Sequence, residues 1–230
     1  RREVFIMSMQ HQEEITCPAC QKAGNFTVWD SVDIAENPEM KDSIASLDAF
    51  HYHCPHCGTT VNIDYGFLYH DAGRRFMVFY GPTENDEQRA DRDMAENHQV
   101  FERMSANQYI FRLVRTKEDL LEKITIFEAG LDDRLMELTK AAALAQFKEQ
   151  DKDFKVTSCH FVSQDDGSLR LVFFDKASEQ GAYIDFKDGL SPLYNQFEQS
   201  LSENLPKEEP ALACIDPAWT QDFLNTYVYN

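Results

Sequence analysis

The 230-residue chain carries 22 basic and 40 acidic side chains, a formal net charge of −18. The acidity is spread along its whole length, so bare nucleic acid and anionic membranes are repelled and protein partners are expected. With 43% hydrophobic residues and 17 Phe, it can bury one large core or two small ones, which excludes a disordered tail.

The acidity is read first as a solubility device, with a mimic of nucleic acid as the sharper alternative. No apolar run approaches a membrane span, and Val4-Phe5-Ile6-Met7 is too short for a signal segment. Four of the six cysteines have metal spacing rather than a disulfide pattern, so a cytoplasmic protein is expected.

Taken in order, the first informative stretch is Cys17-Pro18-Ala19-Cys20, matched later by Cys54-Pro55-His56-Cys57-Gly58. Two Cys-x-x-Cys pairs offer four soft thiolates, a set that suits tetrahedral zinc. The proline in each turn pre-sets φ near −65°, and Gly58 supplies a position where φ > 0 is often needed. Cys17, Cys20, Cys54 and Cys57 are therefore the expected ligands of a structural Zn2+. Four sulfurs leave no position for water, whereas a catalytic zinc keeps one open. His51, His53 and His56 are the rivals for ligation and are expected at the surface. A zinc-dependent hydrolase stays as the alternative should one of them replace a cysteine. His11-Gln12-Glu13 matches part of a deaminase pattern, but His53 rather than proline precedes Cys54.

Between the pairs, Phe26–Trp29 and Val32–Ala35 read as extended. Asn37-Pro38-Glu39 opens a short helix with Asn37 as its cap, and Ala49–His53 alternates as a strand. Thr60–Tyr65 is expected as another strand, Asp71-Ala72-Gly73 as a turn and Arg75–Tyr80 as the returning strand. Together they predict an antiparallel sheet with the zinc at one end.

These residues also carry a resemblance. Cys-Pro-x-Cys twice, Trp29-Asp30-Ser31-Val32-Asp33, Asn37–Lys41 and Tyr65-Gly66-Phe67-Leu68-Tyr69-His70-Asp71 resemble the bacterial and archaeal CpXC domain. The resemblance is dense from about Ile15 to Pro82 and thin from there to about residue 130. It implies a zinc-ribbon-like module held by Cys17, Cys20, Cys54 and Cys57, but no reaction. Gln21 stands where such knuckles often have glycine, so a looser first turn is expected.

Beyond Gly81-Pro82, the charged run 83–103 reads as a solvated helix, with a linker as the alternative, and Tyr109–Val114 as a strand. Thr116 caps a helix carrying Leu120, Ile124 and Phe127, which ends at Gly130. A second helix from Leu131 carries Leu135, Leu138, Ala142 and Ala145, completing a helical hairpin. Lys155–Val162 and Leu169–Phe174 flank the turn Asp165-Asp166-Gly167 as a β-hairpin, and Ala182–Phe186 adds a third strand. Ser191-Pro192 opens a helix with Leu193, Phe197, Leu201 and Leu205 on one face. Asp216-Pro217 opens the last, with Trp219, Phe223 and Tyr227. Cys159 and Cys214 are expected as buried free thiols rather than a second site with His160. Arg74-Arg75 is expected to be solvated.

The predicted architecture is α+β. A zinc-ribbon-like domain spans 9–82, a helical segment 83–153, and a C-terminal β-meander with covering helices 154–230. The expected role is a non-catalytic interaction module, its oligomeric state open.

Overall fold

The computed structural model describes residues 7–206 and 212–227. Val4, Phe5 and Ile6, weighed above as a leader fragment, lie outside them. The fold is mixed α+β with three sheets, and the chain divides into two compact units, Arg1–Leu120 and Leu121–Asn230. Strand Ile110–Val114 belongs to the first sheet, so that sheet reaches past the boundary expected at 82.

In the first unit, strands β1 (Met9–Thr16) and β2 (Ala23–Asp33) form a hairpin around the first Cys-x-x-Cys. β1 is almost wholly exposed and polar, which suits the edge of a sheet. Helix α1 (Glu39–Ala45) follows Pro38; Asn37 does not cap it, and its side-chain amide donates instead to Glu39 at 3.0 Å. Strands β3 (His51–His53) and β4 (Thr60–Asn62) form a separate small hairpin around the second Cys-x-x-Cys. Next come β5 (Phe67–Asp71), β6 (Phe76–Tyr80), helices α2 (Glu84–Glu96) and α3 (His98–Ala106), and β7 (Ile110–Val114).

The main sheet runs β1-β2-β5-β6-β7. The antiparallel sheet expected from sequence is corrected here: β2–β5 and β6–β7 pair in parallel. The physical reason is the connections. A short turn at Asp71–Arg75 returns β5 antiparallel to β6, but α1 with the β3–β4 hairpin, and α2 with α3, carry the chain back to start parallel neighbours. The run 83–103 is two helices broken at Asn97, and Thr83 and Asp86 form a reciprocal capping box at its start. The core of this unit is largely aromatic: Phe50, Tyr52, Tyr69 and Phe76 are fully buried, with Met77 beside them in the sequence of β6.

Helix α4 (Lys117–Glu128) begins with the Thr116 cap and leads through Gly130, at φ +70°, to α5 (Asp133–Gln150). The two are tied by Lys140, whose Nζ lies 2.8 Å from Glu122 and 2.9 Å from Glu137, all three buried. Strands β8 (Ser158–Ser163), β9 (Leu169–Asp175) and β10 (Gln180–Asp185) form the expected antiparallel meander. Phe147 of α5 stacks on Phe173 of β9 at 4.6 Å, so a helix placed in the middle segment covers the meander. In α6 (Ser191–Leu201) the buried residue is Tyr194 rather than the Leu193–Phe197–Leu201 stripe, and Leu205 is buried beyond the helix end. Tyr194 turns inward because its hydroxyl accepts the Asp132 backbone N–H at 2.8 Å. Along α7 (Pro217–Tyr227), Trp219, Phe223 and Tyr227 share one face as expected, Trp219 stacked on Phe223 and Phe223 tilted against Tyr227. No helix among the described residues is long and apolar enough to cross a membrane.

Candidate metal centre

The two small hairpins bring their turns together. Cys17 Sγ lies 3.6 Å from Cys57 Sγ, and Cys20 Sγ 3.7 Å from Cys54 Sγ. All four sulfurs fall within 4.8 Å of one another, and all six cysteines of the chain are free of disulfides.

Each turn is built by the same backbone bonds. Cys17 N–H donates to Lys22 O and Gln21 N–H to Cys17 O; Cys54 N–H donates to Thr59 O and Gly58 N–H to Cys54 O, all at 2.9 Å. Gln21 sits at φ 59° and Gly58 at φ 75° in the corresponding place. The looser first turn expected at Gln21 is therefore corrected. The glutamine takes the left-handed conformation, and its side-chain amide donates to Pro18 O at 2.9 Å.

The cluster is half-enclosed: Cys17 and Cys54 are buried, Cys20 is intermediate and Cys57 exposed. The hydroxyl and backbone N–H of Thr59 hold the Cys57 thiol down to about 6. At Cys54 desolvation pushes upward, but the His56 and Cys57 backbone N–H groups outweigh it and leave the thiol below its usual value. At Cys20 the Lys22 amide favours the thiolate, yet desolvation and the three neighbouring sulfurs push it up to about 11. Crowded sulfurs with inward-facing amides are a donor set for a thiophilic cation, which removes the repulsion between thiolates.

Two residues that sequence reasoning missed shape the site. Tyr52 packs with Phe26, Cys17 and Cys54, and its buried hydroxyl has no nitrogen or oxygen partner among the described residues. Desolvation, then the Cys54, Cys17 and Cys20 sulfurs, raise its pKa, so this orphaned group faces the thiols. Gly24 passes directly over the Tyr52 ring, where any side chain would collide. The alternation His51-Tyr52-His53 that marks the strand also carries the signal for Tyr52, the one apolar-facing residue of β3.

The other candidates stand apart from the sulfurs. His51 and His53 point to the opposite side of β3 from Tyr52, and His56 Nε2 lies 3.1 Å from Ala23 O. His11 is paired with Asp30 at 2.8 Å on β1. Cys159 is half-buried, and desolvation pushes its thiol up to about 12, while Cys214 donates to Asp216 at 3.4 Å. The Asp165–Gly167 stretch is a turn, with Gly167 at φ 78°. Arg74 and Arg75 are exposed, as expected, and Arg74 also pairs with Asp71 at 2.9 Å. The motif residues Asp33 and His70 sit opposite each other in the parallel β2–β5 register and form a buried pair at 3.0 Å. His70 Nε2 continues to Tyr109 Oη at 3.4 Å.

This is a mixed α+β protein with a four-cysteine cluster compatible with metal binding, made from the turns of two β-hairpins. The chain belongs to the CpXC family: the model described as "CpXC protein" matches residues 15–140, more than half of its length. No curated protein and no solved structure matches it.

Proposed function

We propose that Cys17, Cys20, Cys54 and Cys57 hold one Zn2+ as the closed structural centre of a zinc-ribbon-like module. On this reading the protein is a non-catalytic, cytoplasmic interaction module whose partner is another protein. The observation that carries it is the sulfur spacing. Four sulfurs about 2.3 Å from a tetrahedral zinc stand about 3.8 Å apart, and the Cys17–Cys57 and Cys20–Cys54 sulfur pairs are 3.6 and 3.7 Å apart. Bound there, zinc supplies a crosslink between two hairpins distant in sequence and so contributes directly to folding. The chain supplies the rest. The knuckle amides stabilise the thiolates, and the Tyr52 hydroxyl gains a sulfur acceptor held in place.

Four sulfur ligands leave no position for water, which favours a structural over a hydrolytic centre. The net charge of −18 favours a basic protein surface as partner over nucleic acid. Zinc-edge X-ray absorption with metal content tests the reading: one zinc per chain and four sulfurs near 2.3 Å are expected. Cys17→Ser and Cys57→Ser are expected to lose the metal and most of the soluble protein. Unchanged metal content and melting curves in both variants refute it.

A further inference from the structure

We propose that the cleft between helix α2 and the β1–β2 hairpin docks a basic amphipathic helix of a partner protein. The helix lays its apolar face on the sheet and sets Lys or Arg side chains against Asp86 and Asp93. This rests on the reading of the chain as an interaction module with a basic protein partner, and gives that partner a site. The cleft belongs wholly to the first unit and has a volume of about 740 Å³.

Its floor is one face of the main sheet. Met9, Ser31, Leu68 and Phe79 stand in register across β1, β2, β5 and β6, and a strand spacing of about 4.8 Å makes that row about 14 Å long. A bulge between Met9 and Gln10 leaves Asp30 without a β1 partner, so Asp30 and Ser31 both line the cleft. Helix α3 covers the β6 end of the row, where Phe101 meets Phe79 at 6.4 Å. The β1 end is bare. Met7 and Met9 are 60% and 59% exposed there, two of the five large apolar side chains exposed among the described residues. Ser31 Oγ donates to Met7 O at 2.8 Å and holds this mouth against β2. Methionine side chains are flexible and polarisable, and so adapt to the apolar face of a helix.

The wall carries the charge. Asp86, Arg89, Ala90 and Asp93 of α2 line the cleft at the three- and four-residue steps of one helix face. Arg89 stands between the two acids, yet its guanidinium lies 3.4 Å from Asp30 Oδ1 and 3.3 Å from Gly66 O instead. Asp86 gives only Oδ2 to the Thr83 cap. Its Oδ1 lies over Gly66, where a Cβ would come within 2.6 Å. Asp93 is exposed, and its carboxylate has no partner among the described residues. Two carboxylates seven residues apart stand about 10.5 Å apart along the helix. A second helix beside α2 presents Lys or Arg at the same seven-residue interval, with its apolar anchors on the sheet side. The spacing selects a helix over a compact ligand, and the charge selects a basic one.

The test uses the full chain, purified with zinc, and a labelled Leu/Lys amphipathic peptide of about 18 residues, long enough to fold as a helix. A Leu/Glu version and a scrambled Leu/Lys sequence are the controls. The Leu/Lys helix is expected to bind in fluorescence anisotropy at about 0.15 M salt and to shift the Met7 and Met9 methyl signals in carbon-13 NMR. Neither control should do so. Met9→Lys and Asp93→Lys, both at exposed positions, should each weaken binding at least about tenfold. Glu203→Lys, which makes the same charge change as Asp93→Lys in the second unit, should leave it unchanged. Zinc content and melting curves of every variant check that the fold is kept. Binding as tight in Met9→Lys and Asp93→Lys as in Glu203→Lys overturns the cleft and keeps the basic partner. Equal binding of the scrambled peptide overturns the helix as occupant. A wild-type chain that holds its zinc and binds no Leu/Lys peptide overturns the proposal together with the basic-partner reading.

Discussion

Gly24→Ala is the most discriminating single change near the cysteines, because its effect is set by one contact. A Cβ built on Gly24 would meet Tyr52 Oη, with Tyr52 Cζ at 3.2 Å and Pro55 Cδ at 3.3 Å. The Tyr52 ring is 2% exposed and edge-on to Phe26 at 6.4 Å, so it must shift within a filled space. Overpacking of this kind costs about 1–3 kcal/mol, offset by the roughly 0.4–1 kcal/mol that alanine gains by restricting the unfolded chain. A net loss of about 1–2 kcal/mol corresponds to a fall in melting temperature of roughly 4–8 °C for a unit of this size. Thermal unfolding of the zinc-loaded protein reads it directly. Tyr52→Phe removes the colliding oxygen, a group that has no nitrogen or oxygen partner among the described residues. Gly24→Ala/Tyr52→Phe should therefore melt above Gly24→Ala, with a coupling of at least about 1 kcal/mol. Wild-type melting of Gly24→Ala, or strictly additive effects in the double variant, would refute this account of the packing over the cysteines.

Two further perturbations probe buried charge. Burial holds the His70 imidazole below its usual 6.5 despite the raising effect of Asp33. The unfolded chain therefore takes up its proton first, and stability falls as pH drops below about 6.5, until the folded imidazole itself titrates. His70→Gln should flatten the melting-temperature profile between about pH 7 and 5.5, and an unchanged slope would count against it. In the second unit, desolvation pushes Glu122 upward, but Lys140, His160 and Lys123 outweigh it and hold the carboxyl down to about 2. Lys140→Met leaves Glu122 and Glu137 facing one another without that cation and should cost about 3–5 kcal/mol in denaturant unfolding. A loss under about 1 kcal/mol would show that Lys140 contributes little to holding α4 against α5.

The cysteine cluster was legible because its information is local. A Cys-x-x-Cys turn closes within six residues, and a second copy supplies the other half of the coordination sphere. The C-terminal meander was legible for a related reason: the Asp165–Gly167 turn fixes the register of β8 against β9 within a few residues. The main sheet was not. β1 carries Gln10-His11-Gln12-Glu13-Glu14, with none of the apolar alternation that marks a half-buried strand. Its partner is chosen by the hairpin turn at Cys17 rather than by its own side chains. The parallel pairing of β2 with β5 joins Asp33 to His70 across an intervening helix and hairpin, and no pattern in either strand names the other. The buried Asp33–His70 pair is the chemical trace of that register, since two polar residues in apolar strands satisfy each other only when aligned.

The two knuckles show what such a motif requires. At the residue after the second cysteine, Gly58 enters the left-handed region without penalty, whereas Gln21 does so at about 1–2 kcal/mol. Yet the backbone bonds around the two turns match in partner and length. What they share is the demand that amides turn inward toward the sulfurs, and glycine is only the easiest way to meet it. Gln21 meets it with a hydrogen bond from its own side chain to Pro18 O, which offsets part of the strain. The proline between the cysteines thus does more than fix φ, because its carbonyl is the acceptor that lets a residue with a side chain stand where glycine is usual.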